Sequence, residues 1–133
     1  MIRKQGGIPF VKTNNPQLTY VFETISRVYG LAANPHNPKR SCAGSSGGEG
    51  GLVAARCSPL GMGTDIGGSI RGPASFTGVY GFKPTPIRTS YSGVILPVKD
   101  GICPQTQLMP ATGPIAPSAN SLKSALETLF DSN

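Results

Sequence analysis

Apolar residues are concentrated on either side of a glycine-dense centre, and two thirds of the glycines fall between Gly44 and Gly81. Ile8-Pro9-Phe10-Val11 is a short apolar run between Gly7 and Lys12. It reads as a brief buried strand, with Pro9 at its start or on a sheet edge. Leu18, Val21, Phe22, Ile25 and Val28 recur at helical spacing, Asn15 can cap, Pro16 stands at the first helical position and Gly30 follows as a stop. The pattern predicts an amphipathic helix over 16–29 whose stripe packs in the core. Residues 33–44 form a polar, proline-punctuated loop. Residues 49–56 fit a short helix, with Gly47 and Gly48 at its start. A glycine-rich loop feeding a helix N-terminus favours an anion or a developing negative charge.

Pro59 to Asp65 reads as a small-residue strand running into a tight turn, and Gly78 to Lys83 as another, closed by Pro84. Residues 84–117 are loop-rich and carry many prolines. A second helix is expected over 118–131, with Leu122, Ala125, Leu126, Leu129 and Phe130 as its apolar face and Ser118 or Asn120 as its cap. No internal repeat is present.

Composition narrows the class. At 133 residues the chain holds at most one domain. The 12 Lys+Arg outnumber the 6 Asp+Glu, but the basic residues are scattered and do not interleave with aromatics as a nucleic-acid surface would. The three cysteines, Cys42, Cys57 and Cys103, are odd in number and contain no CxxC. That argues against a disulfide framework or a zinc site, and for free thiols in a reducing, intracellular setting. The lone His36 lies in Pro35-His36-Asn37-Pro38 and reads as a solvated loop residue, so no metal or cofactor is expected. No apolar run is long enough to span a membrane, and no signal-peptide core follows Met1. Membrane association stays open but is not encoded in this segment, and oligomeric state is not legible.

The chemistry sits in the centre. Gly44-Ser45-Ser46-Gly47-Gly48-Glu49-Gly50 is followed by Gly63-Thr64-Asp65-Ile66-Gly67-Gly68-Ser69-Ile70-Arg71. Taken alone, the first run also fits a flexible Gly/Ser linker. Neither GxGxxG in a strand–helix context nor GxxxxGK[ST] occurs, which disfavours a nucleotide site. The whole run, with Ser58-Pro59-Leu60-Gly61, Pro73 and Gly81-Phe82-Lys83-Pro84-Thr85, resembles the amidase signature family. Glu49 and Ile66 bring it nearest the branch of fatty acid amide hydrolases and fungal acetamidase-like enzymes. Gly7 to Asn14 and Gly113-Pro114-Ile115 fit the same layout.

The resemblance implies an α/β fold, with residues 1–133 as a partial amidase signature domain: a mixed central sheet covered by helices, incomplete at both ends. It implies hydrolysis of a small-molecule or lipid amide, without cofactor, by a Ser-cisSer-Lys mechanism. Ser69 would be the nucleophile, which at its ordinary pKa needs a base. Ser45, preceded by a cis peptide, would relay the proton to a neutral lysine. The N–H groups of Ile66, Gly67, Gly68 and Ser69 would form the oxyanion hole. Ser46, Arg71 and Asp65 would support the loop, Arg71 and Asp65 by structural hydrogen bonding.

The sequence also departs from the family. Its lysine lies farther upstream than the 44 residues that precede Ser45, so no residue here matches it. Lys4, Lys12 and Lys39 fall outside the pattern, and Lys83 belongs to a structural turn. The chain is therefore expected to be part of a longer product. Ala43 stands where glycine is common, Arg56-Cys57 replaces a smaller pair, and Gly72 replaces a bulkier residue. Three readings stay open: an amide hydrolase, a catalytically inactive fragment or pseudoenzyme, and an amidotransferase A-type subunit, against which Glu49 argues.

Overall fold

The structure, a computed structural model, describes residues 2–90, 93–94 and 108–130. Its centre is a three-stranded antiparallel sheet with β7 between β5 and β6: β5 (Gly61–Asp65), β6 (Tyr80–Gly81) and β7 (Ala111–Ala116). Gly61 pairs with Ile115 and Asp65 with Ala111, so the end of β5, where the turn begins, is held by a full ladder. Three helices pack around the sheet: α1 (Gly47–Ala54), α2 (Arg71–Thr77) and α3 (Ala119–Phe130). An α/β arrangement results, as the resemblance implied.

The core is small. Val53 of α1, Ile70 at the start of α2 and Ile115 of β7 are fully buried together, and Val79 packs against them. Tight backbone approach supplies the remainder. Gly44 is the clearest case: its φ is +63°, and an added Cβ would lie 2.6 Å from Pro73 Cδ, so both conformation and space require glycine.

The strand before the turn and the helix over 49–56 are present, the latter starting at Gly47. α3 ends at Phe130 among the described residues, and Asp131, the expected end, lies outside them. Ser118 is its cap: the Ser121 N–H donates to Ser118 Oγ at 3.1 Å. The strand after Gly78 is shorter than expected.

Other expectations are overturned. Residues 8–11 form no strand, and Ile8 is 83% exposed. Residues 16–29 are not helical. A 3-10 turn (Gln17–Thr19) with Leu18 at φ 61° leads into a hairpin of β1 (Ile25–Ser26) and β2 (Gly30–Leu31). Leu18, Val21, Phe22, Ile25 and Val28 are all at least half exposed. The cause is tertiary. Thr24 is fully buried, and its hydroxyl donates to the carbonyls of Ala43 and Gly44. Phe22 O accepts from Gly44 N–H at 2.6 Å and Thr24 O from Ala32 N–H at 2.8 Å. Those backbone groups cannot also make an α-helical ladder.

The expected loop over 33–44 contains a hairpin of β3 (Ala33–Asn34) and β4 (Asn37–Ser41). His36, at its turn, is exposed, yet its Nε2 lies 2.9 Å from Thr77 O. In the stretch read as loop, β7 emerges despite Gly113-Pro114. The Pro114 carbonyl accepts from Phe82 N–H at 3.1 Å. Its missing N–H therefore faces the short β6 side, and the ladder to β5 is untouched. Residues 95–107 of that stretch, including Cys103 and Lys99, lie outside the described residues.

Candidate active site

The turn after β5 is organised by one carboxylate. Asp65 is 1% exposed. Its Oδ1 accepts from Gly68 N–H at 2.7 Å, and its Oδ2 accepts from Ile70 N–H at 3.0 Å and Arg71 N–H at 3.3 Å. The Arg71 guanidinium completes the shell, with Nε on Oδ2 at 3.0 Å and Nη2 on Oδ1 at 2.9 Å. Burial alone would push the Asp65 carboxyl up, but the guanidinium and three backbone donors outweigh it and hold the group at about 2. Arg71 is half exposed at the outer edge of this knot. The loop can fold so tightly because Gly68 sits at φ +129°, where a side chain would be strained.

Ser69 lies on this loop. Its Oγ accepts from the backbone N–H of Ser45 at 3.2 Å, which joins the two glycine runs across 24 residues. Ser45 is buried. Its own hydroxyl makes no hydrogen bond among the described residues, so the link between the serines runs through the Ser45 backbone. No peptide bond among the described residues is cis. The cis geometry that the resemblance implied at Ser45 is thus replaced by the trans form, which is favoured for a non-proline residue by about 3 kcal/mol.

Ser46 ties the same region to β5. Its Oγ accepts from Thr64 N–H at 3.2 Å and approaches Thr64 O at 3.4 Å. Ala43, just before the first glycine run, has φ 58°, a conformation that costs a non-glycine residue roughly 1–2 kcal/mol.

The expected oxyanion donors do not all remain available. Gly68 N–H is committed to Asp65. The N–H groups of Ile66, Gly67 and Ser69 make no hydrogen bond among the described residues, and Ile66 and Gly67 are exposed. These three N–H groups are carried on the same loop as Ser69. No titratable side chain hydrogen-bonds either serine hydroxyl among the described residues. Lys83 Nζ points instead to Pro84 O at 3.5 Å.

Two residues to which the sequence reading gave no role at the site support the surrounding structure. Phe22 lies against the loop: a Cβ at Gly72 would meet its ring at 2.8 Å and one at Gly68 at 3.7 Å. The Phe22 and Phe76 rings meet edge to face, 6.0 Å apart. Glu49 is the other. Its Oε2 accepts from Thr13 Oγ1 at 2.6 Å and its Oε1 from Met62 N–H at 3.0 Å, so α1 is strapped to β5 and to the N-terminal segment. The only signal for Phe22 was its place in an apolar stripe, which was read as core.

Among the described residues no cluster of His, Cys, Asp and Glu could hold a metal, and no helix is long and apolar enough to cross a membrane. Cys42 is a free, buried thiol pushed up by burial, and Cys57 is free and exposed.

Sheet, helices and turn together define an α/β unit built around a paired-serine, glycine-rich loop. The family model described as Amidase matches residues 1–133. The chain belongs to the amidase family, in its amidase signature form. It is 43% identical over 130 residues to the fatty-acid amide hydrolase 1 of Sus scrofa, covering 98% of this chain and 22% of that protein. It is 41% identical over 130 residues to the acetamidase of Aspergillus oryzae (strain ATCC 42149 / RIB 40), covering 98% and 23%. The solved structure of 6-aminohexanoate cyclic dimer hydrolase complexed with substrate superposes with a TM-score of 0.83 at 34% identity, covering 96% of this chain and 26% of that one. The chain thus spans about a quarter of the length of these relatives.

Proposed function

We propose that this chain carries the nucleophile and oxyanion site of a serine hydrolase acting on carboxylic amides, fatty acid amides among them. Ser69 Oγ attacks the amide carbon, and the oxygen that becomes negative is received by the N–H groups of Ile66, Gly67 and Ser69. The Ser69 proton passes to the Ser45 hydroxyl, once that group turns toward Ser69 Oγ, as the Ser45 proton moves on to a base, and the same route later returns a proton to the departing amine. By family resemblance that base is a neutral lysine, which no lysine of this chain matches. The observation that carries the reading is the Ser45 N–H held 3.2 Å from Ser69 Oγ, on a loop whose Ile66, Gly67 and Ser69 N–H groups are unengaged among the described residues. The relatives' names, a fatty-acid amide hydrolase and an acetamidase, support the substrate class.

A fluorophosphonate probe tests the reading. Labelling at Ser69, abolished in Ser69→Ala, is expected. Failure of the probe to mark Ser69 when the folded chain is supplied with a lysine-bearing complement would refute it. Release of ammonia from acetamide compared with oleamide then separates short from long acyl groups.

A second reading is favoured by one observation: no titratable group touches either hydroxyl among the described residues. On this reading the chain alone binds a carbonyl without turning it over. It predicts saturable binding of a peptidyl or acyl trifluoromethyl ketone with no amide hydrolysis.

A further inference from the structure

A hollow of about 560 Å³ opens between the β3–β4 hairpin and α2, with Glu23, Asn34, His36, Arg40 and Phe76 in its lining. It shares no residue with the Ser45–Ser69 site. Its frame is fixed by polar bonds. Asn34 is buried, its Nδ2 donates to Phe76 O at 2.7 Å, and its Oδ1 accepts from His36 N–H at 3.0 Å. His36 Nε2 donates to Thr77 O at 2.9 Å. The hairpin is thereby pinned to the C-terminal end of α2, and the hollow lies between the pinned parts.

The two charged side chains of this hollow are not spent on each other. Glu23 and Arg40 form no ion pair, and neither side chain makes a hydrogen bond among the described residues. Both charges are exposed to water, and a guest that carries the two complementary charges can replace that water at each of them. A guanidinium takes a carboxylate through two parallel donors, and a carboxylate takes an ammonium. A purely anionic guest meets Glu23 as a like charge, and a purely cationic one meets Arg40. The volume falls in the range of small-molecule sites, roughly 300–1,000 Å³. Phe76 offers an aromatic wall for an apolar body.

We infer that this hollow binds a small zwitterion of amino-acid type, its ammonium on Glu23, its carboxylate on Arg40 and its apolar body against Phe76. The site is separate from the amide-cleaving centre and does not depend on that activity. Calorimetric titration of the full chain with phenylalanine, phenethylamine and 3-phenylpropionate tests it. Phenylalanine should bind about tenfold more tightly than either one-charge analogue. Glu23→Gln should weaken phenylalanine and phenethylamine about tenfold and spare 3-phenylpropionate. Arg40→Met should weaken phenylalanine and 3-phenylpropionate and spare phenethylamine. Ser69→Ala should change none of these affinities.

Equal affinity for the three ligands, no binding of phenylalanine at millimolar concentration, or loss of binding in Ser69→Ala would each overturn the inference. Both charged residues are exposed, so the variants keep the fold. If one did not, the ranking of the three ligands on the unaltered chain would decide alone.

Discussion

Replacing Asp65 by asparagine removes one charge and changes almost no volume, and it tests whether this carboxylate builds the Ser69 loop. At present its two oxygens accept three backbone N–H groups and two guanidinium N–H groups. An amide has one acceptor oxygen. Whichever way it turns, its NH2 faces either the Gly68 donor or the Ile70 and Arg71 donors. A buried N–H without a partner costs about 1–3 kcal/mol, and a bond to a charged group is worth about 1.5–3. Arg71 is half exposed and returns partly to water, which trims its share. The expected loss at pH 7 is about 3 kcal/mol, read as a lowered urea midpoint with an unchanged slope.

The pH dependence gives an independent check. The carboxyl falls from the ordinary 3.8 to about 2 on folding, so its stabilisation is fully present above about pH 4. It is lost as pH falls toward 2. At about 1.4 kcal/mol per pKa unit the linked stability is on the order of 2 kcal/mol. Urea unfolding at pH 6 and pH 2 should therefore show the gap between the native chain and Asp65→Asn shrinking by about that amount, while the other carboxylates cancel in the difference. The variant should also label more slowly with a fluorophosphonate, because Gly68 and Ile70 are no longer fixed on either side of Ser69. A gap that stays constant with pH, or an unchanged labelling rate, would refute the role given to Asp65.

Three further substitutions probe other contacts. Thr24→Val keeps shape but strips the bonds to the Ala43 and Gly44 carbonyls. About 2 kcal/mol should be lost, visible as a lower urea midpoint. Arg56 closes α1 at φ 61°, with Arg56 N–H on Val53 O at 3.0 Å and Cys57 N–H on Leu52 O at 3.1 Å. Glycine suits that position, so Arg56→Gly should raise stability by about 0.5–1 kcal/mol after its greater unfolded-state freedom is deducted. Gly72→Ala places a methyl against the Phe22 ring. The half-exposed ring should swing aside at a cost under about 1 kcal/mol, and bulky fluorophosphonates should gain labelling rate relative to small ones.

Local signals that agreed with tertiary structure were legible in the sequence. The turn after β5, the start of α1 at paired glycines and the Ser118 cap of α3 each depend on residues within a few positions. α2 was overlooked although Pro73 in its first turn and Gly78, at φ 70° just past its end, are ordinary start and stop marks. Pro73 is taken into the chemical reading of the loop, and Gly78 into the start of the following strand. The apolar stripe over 18–28 misled most. Its spacing was helical, but Thr24 within it is buried among the carbonyls of the glycine run. At the site the sequence marked the serines, while the loss of Gly68 as a free donor depends on where the Asp65 oxygens point, which spacing does not carry.

A common cause lies behind these errors. Val53, Ile70 and Ile115 are the buried apolar cluster, too little to dictate the path of the chain by periodicity. Single polar side chains tie the path together instead, often across long separations. Thr13 reaches Glu49 across 36 residues, Asn34 reaches the Phe76 carbonyl across 42, and Ser46 binds Thr64 across 18. Hydrophobic patterning is blind to such ties, because each is made by one residue with a distant backbone or side-chain partner. The Ser69 loop is the extreme case, since its shape is set by Asp65, Arg71 and a glycine in a conformation that strains other residues. The large apolar residues of 8–31 are exposed, and although Phe22 lies against the loop, none of their side chains joins the hydrogen bonds that shape it. A structure held this way should tolerate polar replacement of Ile8 or Phe10 and fail at Thr24 or Asp65, the reverse of what the hydrophobic pattern alone would rank.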